Sequence, residues 1–355
     1  MFRGRTEFLN DRSLSYEVLR GTSAFLSLKE TWENLLDHSH GPGRVFLRHD
    51  WIRAWLDLRS GHTPLIVLIY HGHTVVGIIP LCERVHRSVW KTLMFLGGHD
   101  ADYHDVIVDV RYDGDLVYSY ARQIVETLGK AGAVLCLEEL AEGTPLHQAF
   151  SHGEVASREP CPYIDTRQPW SDYQRRICDE DVRRKMRKAE RLGSVRYGVV
   201  ESSHHIAAFV DEFCDTHQQR WALTDTPSRF QNPKDRVFLR QVAEDLFAGG
   251  HMHLAYLTID DRRVAYFYGF REERRLSMYL LTFHPDFAKI SIGKVFLYHL
   301  IREEYSRYQI IDLLRGDEPY KRHWATDVAT NETFLVYRSR IHRAVAELYR
   351  HLGNG

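Results

Sequence analysis

The same order of predicted elements occurs twice along this chain, and this repeat constrains the fold more than any other feature. Each half shows two amphipathic helices, a hairpin, a third strand, a helix and a buried strand. Aligning Ala133–Glu138 on Gln309–Leu314 gives an offset of 176 residues, and aligning Gly77–Pro80 on Ala265–Tyr268 gives 188. The two offsets differ only by a longer loop in the first half. We therefore expect two copies of one α/β unit with a mixed sheet.

The length of the chain agrees with two domains, since 355 residues suffice for two domains of about 150 residues each. Three prolines interrupt the periodicity within Glu159–Trp170, so the boundary between the domains is expected there. The predicted domains are residues 1–165 and residues 166–355.

Composition excludes several classes of partner and compartment. The chain carries 47 Lys and Arg against 48 Asp and Glu, a net charge of −1, so we expect no specific DNA partner and no membrane association. The five cysteines include no Cys-x-x-Cys, so neither a disulfide framework nor a zinc ribbon is indicated. No apolar run approaches the roughly 20 residues of a membrane span, and no signal peptide is predicted. We therefore expect a cytoplasmic protein.

One segment is strongly basic in spite of the neutral balance of the chain. Six of the ten residues from Val182 to Arg191 are basic, and three acids, Asp179 to Asp181, precede them at the start of a predicted helix. This basic helical insertion, near residues 179–193, has two interpretations. It is either a solvated charged face or an element that faces the phosphates of a donor, a carrier protein or RNA.

The common catalytic motifs are missing from the sequence. There is no Gly-x-Ser-x-Gly, no His-Glu-x-x-His, no Walker loop and no Gly-x-Gly-x-x-Gly after a strand, which disfavours hydrolases, zinc peptidases, nucleotide triphosphatases and dinucleotide oxidoreductases. Three His-x-His pairs lack a third ligand nearby, so we expect no metal site.

The helix that begins at Ser291-Ile-Gly-Lys294 is a candidate phosphate site. The backbone amides at a helix start are unpaired and point outward, so they can hold a phosphate or pyrophosphate group. Gly293 would let a ligand approach the backbone closely, and Lys294 would add charge. An ordinary serine-capped helix explains the same residues.

The segment from Arg315 to Trp324 is unsuited to a protein core and well suited to a site. It places Arg, Asp, Glu, Tyr and Lys within seven residues after a buried strand. Pro319 predicts an extended turn here, because the residue before a proline avoids the helical region.

These segments resemble one protein family over most of the chain. The pattern Phe287-Ala288-x-x-Ser291-x-Gly293-Lys294, with Asp312–Lys321 and Trp324, resembles the GNAT-type acetyltransferase family associated with cellulose biosynthesis. Further matching segments are Trp51–Trp55, Pro64–Leu81, Asp102-Tyr103-x-Asp105 and Arg183–Gly193. The resemblance implies a tandem GNAT fold similar to the Fem peptidyltransferases. The first copy would lie on the acceptor side, and the second would carry the donor site.

The family resemblance also implies an activity. It implies an N-acyltransferase that moves an acetyl or other acyl group from coenzyme A to the amine of a small molecule, by direct attack of the amine on the thioester. Ala288 and Ser291 depart from the general GNAT donor loop, Gln/Arg-x-x-Gly-x-Gly/Ala. An aminoacyl-tRNA or carrier-protein donor, docked on Arg183–Arg191, therefore stays open, as does a degenerate tandem GNAT that acts as a noncatalytic scaffold.

The catalytic and donor residues are assigned on the same basis, and the acceptor residues are expected from the geometry of the repeat. Asp317 or Glu318 would bind or deprotonate the amine, Tyr320 would protonate the thiolate, and Lys321 would bind an anion. The simpler interpretations are a capped turn, an aromatic lid and a structural ion pair. The acyl-CoA donor would contact Thr282, Ile290, Ser291, Ile292, Gly293, Lys294 and Arg315. The acceptor would contact Asp102, Tyr103, Asp105, Trp221 and Tyr268, for which turn capping and core packing are the alternatives.

Overall fold

The structure is a computed structural model that describes residues 2–4, 13–86, 90–131, 134–151, 154–337 and 339. The last residues of the predicted second domain, 340–355, lie outside this range. The helices are α1 (Thr22–Leu26), α2 (Lys29–Asp37), α3 (His49–Leu58), α4 (Gly114–Ala131), α5 (Pro145–Phe150), α6 (Trp170–Ile177), α7 (Glu180–Glu190), α8 (Ile206–Trp221), α9 (Pro233–Ala248), α10 (Ile292–Glu304) and α11 (Pro319–Trp324). The strands are β1 (Phe2–Gly4), β2 (Leu14–Arg20), β3 (His62–His71), β4 (Thr74–His86), β5 (Trp90–Phe95), β6 (Ile107–Val108), β7 (Val134–Ala141), β8 (Glu154–Asp165), β9 (Val195–Val199), β10 (Met252–Ile259), β11 (Arg262–Glu272), β12 (Arg275–Phe283), β13 (Ile310–Asp312) and β14 (Asp327–Tyr337).

The described residues divide into two compact units. The first unit comprises those up to Glu159 together with those from Thr330 onward, and the second unit runs from Pro160 to Ala329. The residues from Thr330 onward belong to the first unit because β14 pairs in antiparallel register with β7. The domain limits themselves stay a prediction.

The first unit is built on a sheet with the strand order β1-β2-β3-β4-β5-β7-β14. Neighbours along it are antiparallel except β5 and β7, which pair in parallel at Thr92–Val134, Leu93–Leu135 and Met94–Cys136. Helix α4 is the crossover that a parallel pair requires. Its apolar side, with Val117, Ala121 and Ile124, packs into the core of this unit.

The second unit repeats this plan in the order β8-β13-β12-β11-β10-β9. Strands β10 and β11 form a hairpin, β11 and β12 are antiparallel, and β12 and β13 pair in parallel, with α10 as the crossover. Each unit therefore contains a hairpin, a third strand, a crossover helix and a parallel strand. The mixed α/β fold with a repeated unit, predicted from the sequence, is confirmed.

Proline-containing segments behave differently from the prediction. The region expected to be a boundary is the strand β8, which reaches Asp165 and pairs with β13. Pro160 and Pro162 fit this strand because they serve only as acceptors: their carbonyls bond the amides of Gly316 and Leu313. The expected turn at Pro319 is the first turn of α11, where the missing N–H of proline costs no helical hydrogen bond.

The core of the second unit lies between its sheet and the helices α7 and α10. Leu276, Phe296, Leu300 and Trp324 are buried there, and Val182 and Ala189 of α7 pack against the same cluster. The basic segment is thus a helix with one buried apolar side. No helix in the described part of the chain is long and apolar enough to cross a membrane.

Candidate functional site

Strand β12 separates from its parallel neighbour β13 halfway along its length. The two strands are paired from Arg275 with Ile310 to Ser277 with Asp312, and within the described residues no later pair joins them. β12 continues to Phe283. From Met278 onward, this edge of β12 therefore faces an opening between the two strands.

A β-bulge lies at the point of separation. Tyr268 of β11 pairs with Leu280 of β12, but Phe270 pairs with Ser277, so Met278 and Tyr279 together oppose one residue of β11. A bulge bends its strand and interrupts the regular hydrogen bonding. It therefore explains why β12 turns away from β13 at this position.

The N-terminus of α10 is not that of an ordinary serine-capped helix, which is the simpler interpretation of this segment. Ser291 precedes the helix in the left-handed region at φ 56°, and its side chain makes no capping hydrogen bond. A Cβ on Gly293 would lie 2.9 Å from Cδ1 of Phe283, so the ring of Phe283 occupies the space that the missing side chain leaves. The absence of a side chain at Gly293 therefore allows Phe283, at the end of β12, to pack against α10.

Lys294 and the basic helix α7 meet at one carboxylate. Asp181 Oδ2 accepts hydrogen bonds from Lys294 Nζ at 2.9 Å and from Lys185 Nζ at 2.6 Å, and these two bonds hold the pKa of Asp181 well below its usual value. One carboxylate thus lies between two ammonium groups. The surplus positive charge lies at the first turn of α10, where the helix dipole also favours an anion.

The turn after β13 is stabilised by a buried lysine. Leu314 has φ 58° and Gly316 has φ 118°, so the backbone makes two left-handed steps in three residues. Lys321 is 5% exposed, and its Nζ donates to the carbonyl of Arg315 at 2.5 Å and to that of Leu314 at 3.3 Å. Lys321 is therefore committed to the turn.

The two predicted carboxylates each have a basic partner. Glu318 Oε2 lies 3.0 Å from Lys321 Nζ, and Asp317 Oδ1 accepts from Arg322 Nε at 2.6 Å. The hydrogen bonds from Arg322 lower the pKa of Asp317, which makes that carboxylate a weaker base. Glu318 is the better candidate to accept a proton, since its partner Lys321 also donates to the carbonyls of the turn.

The hydroxyl of Tyr320 is influenced by two charges of opposite sign. The residue is 45% exposed, and desolvation of the covered part raises the pKa of its hydroxyl to about 12. The charge of Glu318 acts in the same direction, whereas that of Arg220 opposes it. Tyr320 is consequently protonated at neutral pH and can donate a proton.

Three of the predicted donor contacts are packing residues in this structure. Ile292 is fully buried and Ile290 packs against the core of the second unit. Thr282 is also fully buried, yet its hydroxyl has no hydrogen-bond partner among the described residues. The main chain of Arg315 takes part in the turn that Lys321 holds.

The predicted acceptor residues of the first unit are buried. Tyr103 is 4% exposed and covers Gly43, where a Cβ would lie 2.4 Å from its ring. The carbonyl of Asp102 accepts from Asn331 Nδ2 at 2.7 Å. Asp105 Oδ1 accepts from the amide of Val106 at 2.7 Å, and burial raises the pKa of this carboxyl to about 7.

The predicted acceptor residues of the second unit differ from each other. Tyr268 lies in the core, and its hydroxyl donates to the carbonyl of Leu239 at 2.8 Å. Trp221 ends α8, and its ring stacks on His217 with the centroids 5.4 Å apart. The buried Nε1 of Trp221 has no hydrogen-bond partner in the described part of the chain.

The structure adds one residue that sequence reasoning missed. Arg220 precedes Trp221, and its Cζ lies 4.1 Å from the centroid of the Phe283 ring. Its Nη1 approaches the carbonyl of Leu281, in the part of β12 that is separated from β13, and its charge acts on the hydroxyl of Tyr320. A lone arginine in the last turn of a helix is a common surface feature, so the sequence carried no signal for it.

No group of three or more His, Cys, Asp or Glu among the described residues is arranged to hold a metal ion. The arrangement described above consists of an open strand edge, a helix N-terminus with adjacent lysines, a protonated phenol and a carboxylate. These groups suit polarisation of a carbonyl and transfer of protons.

Comparison with known proteins finds a family match for one segment. Residues 176–322 match the acetyltransferase (GNAT) domain family. No curated protein matches the chain. The narrower resemblance to acetyltransferases associated with cellulose biosynthesis stays a prediction.

Solved structures show a similar fold over nearly the whole chain. FemX aligns with a TM-score of 0.64 at 9% identity, covering 94% of this chain and 99% of that one. The C-terminal domain (DUF2156) of a putative lysylphosphatidylglycerol synthetase from Agrobacterium fabrum aligns at 0.55 and 12% identity, covering 91% and 96%. L-PGS from Bacillus licheniformis aligns at 0.54 and 10%, covering 88% and 92%. At these identities the likeness concerns the fold. Residues 176–322 are thus similar to the acetyltransferase (GNAT) domain family, and this match supports a transferase.

Proposed function

We propose that the protein is an N-acyltransferase that moves an acetyl or other acyl group from a coenzyme A thioester to the amine of a small molecule. The separation of β12 from β13 beside α10, within the GNAT domain, is the observation that carries this proposal. An open strand edge offers backbone amides to a carbonyl, and a helix N-terminus beside two lysines suits the phosphates of the donor.

The reaction assigns one task to each group of the site. The nitrogen of the amine attacks the thioester carbonyl, the carbon–sulfur bond breaks, and the acyl group stays on nitrogen. Glu318 accepts the proton that the amine loses, and Tyr320 donates a proton to the departing thiolate. Lys321 contributes by holding the turn that carries both residues.

A calorimetric titration tests the donor site. Acetyl-coenzyme A, a longer acyl-coenzyme A and free coenzyme A are each titrated into the full chain. We expect micromolar binding that Lys294→Glu weakens at least about tenfold, because a phosphate would then meet a like charge. Lys234→Glu, an exposed lysine at the start of α9, is the matched control. Absence of binding by every thioester would contradict the proposal.

The basic helix α7 favours a second candidate, an aminoacyl-tRNA- or carrier-protein-dependent transferase. Its exposed side chains include Arg183, Arg184, Arg187, Lys188 and Arg191. Glu180 and Asp181 pair with the first three, but Lys188 and Arg191 have no carboxylate partner in the described part of the chain. A polyanionic donor would fit such a face.

Salt dependence separates the two candidates. Binding of a tRNA or of an acyl carrier protein through α7 would weaken steeply with salt and would be lost in a Lys188→Glu/Arg191→Glu variant. Lys234→Glu/Arg274→Glu changes the same number of exposed charges elsewhere and is the control. Binding of coenzyme A thioesters with no measurable binding of either macromolecule would rule this candidate out.

A further inference from the structure

Arg220 lies at the opening described above and is held by weak contacts. Its guanidinium covers the ring of Phe283 at 4.1 Å, and Nη1 approaches the carbonyl of Leu281 at 3.4 Å. Both residues belong to the part of β12 that has left β13. A distance of 3.4 Å is long for an N–H···O bond, so most of the five donors of this side chain are uncommitted.

Arg220 lacks the anionic partner that neighbouring arginines have. Arg236, Arg240 and Arg263, on α9 and β11, each form an ion pair with an acid on α8. Arg229 pairs with Asp235. Within the described residues Arg220 forms no ion pair, although it is partly buried. Burying a charge without a partner costs free energy, which a bound anion would recover.

The residues around Arg220 indicate which molecule supplies the anion. The negative charge of Glu318 raises the pKa of the Tyr320 hydroxyl, and the positive charge of Arg220 lowers it. An anion and a cation are therefore both near the proposed proton donor. Glu318 is assigned to the amine in the proposed function. A molecule with an amine and a carboxylate would match both groups. Arginine is also the residue best suited to a carboxylate, which it can bind through two parallel hydrogen bonds.

We propose that Arg220 binds the carboxylate of the acceptor and that the acceptor is therefore an amino acid or a related amino carboxylic acid. This inference rests on the proposed function and names its substrate class. A carboxylate on the acyl group, as in a succinyl thioester, has the same chemistry. The experiment distinguishes the two sources.

The activity test compares acceptors that differ only in the carboxylate. Amino acids, their amides and the corresponding decarboxylated amines are supplied with acetyl-coenzyme A, and release of free thiol is followed. We expect kcat/KM for the acid to exceed that for its amide at least about tenfold. Arg220→Gln should lower kcat/KM for the acid by about 10- to 100-fold and leave that for the amide and the KM for acetyl-coenzyme A unchanged.

Two further variants make the result interpretable. Arg220→Lys keeps the charge but loses the planar fork, so it should fall between the parent and Arg220→Gln. Arg236→Gln removes an arginine of α9 that pairs with Asp215, and it should behave as the parent. Thermal unfolding of each variant verifies the fold. Equal loss of activity on acid and amide in Arg220→Gln would overturn the proposal.

A binding measurement keeps the inference testable without turnover. N-acetyl amino acids, which are products of the proposed reaction, and their amides are titrated into the protein with and without coenzyme A. Tighter binding of the acids, lost in Arg220→Gln, supports the proposal. Equal binding of acids and amides overturns the proposal. It is also overturned if Arg220→Gln abolishes a preference for succinyl- over acetyl-coenzyme A but leaves the discrimination between acids and amides unchanged. Failure of every coenzyme A thioester to bind contradicts the proposed function, whereas the titration without coenzyme A still tests Arg220.

Discussion

His253 Nε2 lies 3.2 Å from Glu304 Oε1 in the interior of the second unit, where both residues are at most 1% exposed. Tyr197 donates to the same Glu304 oxygen at 3.1 Å, and Arg271 donates to His253 Nδ1 at 2.8 Å. Because Nδ1 accepts from Arg271, the imidazole is neutral and its proton lies on Nε2, facing Glu304. This network joins β9, β10, β11 and α10 at the end of α10 that is distant from the proposed donor site.

The network predicts a loss of stability in acid. Burial lowers the pKa of His253 below 6.5, so the unfolded chain binds a proton at this residue before the folded chain does. The free energy of unfolding should therefore decrease as the pH falls below about 6.5. Glu304, whose pKa is lowered by its partners against the effect of burial, extends the decrease to lower pH.

His253→Gln tests this network in a urea titration at several pH values. The variant should be less stable than the parent by about 1–3 kcal/mol at pH 8, and the difference should shrink towards pH 5. His205→Gln replaces an exposed histidine that precedes α8 and serves as control. A constant difference between His253→Gln and the parent across this range would contradict the predicted proton linkage.

Lys321 should matter for stability as well as for activity. Lys321→Met leaves the carbonyls of Leu314 and Arg315 without their donor and leaves Glu318 without its cation. We expect a loss of about 2–4 kcal/mol in the free energy of unfolding, because a buried acceptor without a partner is costly. Lys188→Met, at an exposed position on α7, should change stability by less than about 0.5 kcal/mol. Chemical denaturation measures both.

Tyr320→Phe separates chemistry from binding. Removing the hydroxyl should lower kcat about 100-fold while the affinity for acetyl-coenzyme A stays the same, because the loss concerns proton transfer alone. Since the pKa of Tyr320 is raised to about 12, its ionisation should not reduce the rate between pH 6 and 10. A decrease in kcat near pH 9 that is absent in Tyr320→Phe would contradict this assignment.

The sequence predicts much of the fold because its strongest signals are local. The hairpin of β10 and β11 and the helix α10 follow from short-range periodicity, and the repeat predicts the parallel pair in each unit. Strand β14 gave no such signal, since its partner β7 lies almost 200 positions earlier and only the tertiary fold brings them together. The strand β8 was not predicted because its prolines argue against a strand. Their carbonyls accept hydrogen bonds from the amides of residues 313 and 316, which lie about 150 positions later in the chain.

The candidate site was predictable only in part. The cluster of polar residues after β13 is visible as a composition that a core would not tolerate, and Glu318 and Tyr320 come from it. What each side chain does depends on contacts that the sequence does not contain. Lys321 and an exposed ligand-binding lysine look alike in sequence, although Lys321 is buried. Arg220 was missed because only its contacts with Phe283 and Leu281, which come from the tertiary fold, indicate a role.

Gly293 is predicted to be required by packing. A Cβ at this position would lie 2.9 Å and 3.0 Å from two carbons of the Phe283 ring, the same ring that Arg220 covers. Gly293→Ala should therefore destabilise the protein by about 1–3 kcal/mol through overpacking, and Phe283→Leu should reduce that cost in the double variant. Gly114→Ala, where a Cβ meets nothing within 4 Å, is the control. A stable Gly293→Ala protein with weaker donor binding would instead support a direct ligand contact.

Asp105 is expected to reduce the stability of the first unit at neutral and alkaline pH. Its carboxyl is 8% exposed and accepts a hydrogen bond from the amide of Val106, and burial raises its pKa to about 7. The folded state therefore holds the proton more tightly than the unfolded state, so its contribution to stability is complete below about pH 4 and is lost as the pH rises to 7.

Asp105→Asn keeps the acceptor for Val106 and removes the charge. It should raise the free energy of unfolding by about 1–3 kcal/mol at pH 8, and the gain should vanish below about pH 4, as the parent carboxyl becomes protonated in both states. Asp113→Asn, an exposed acid before α4, should show no such pH dependence. A residue kept at a cost in stability is a candidate for function, since stability and activity often oppose each other at a site. If Asp105→Asn were more stable but turned over its amine acceptor less efficiently, the predicted acceptor role of Asp105 would gain direct support; unchanged kinetics would leave it a structural residue.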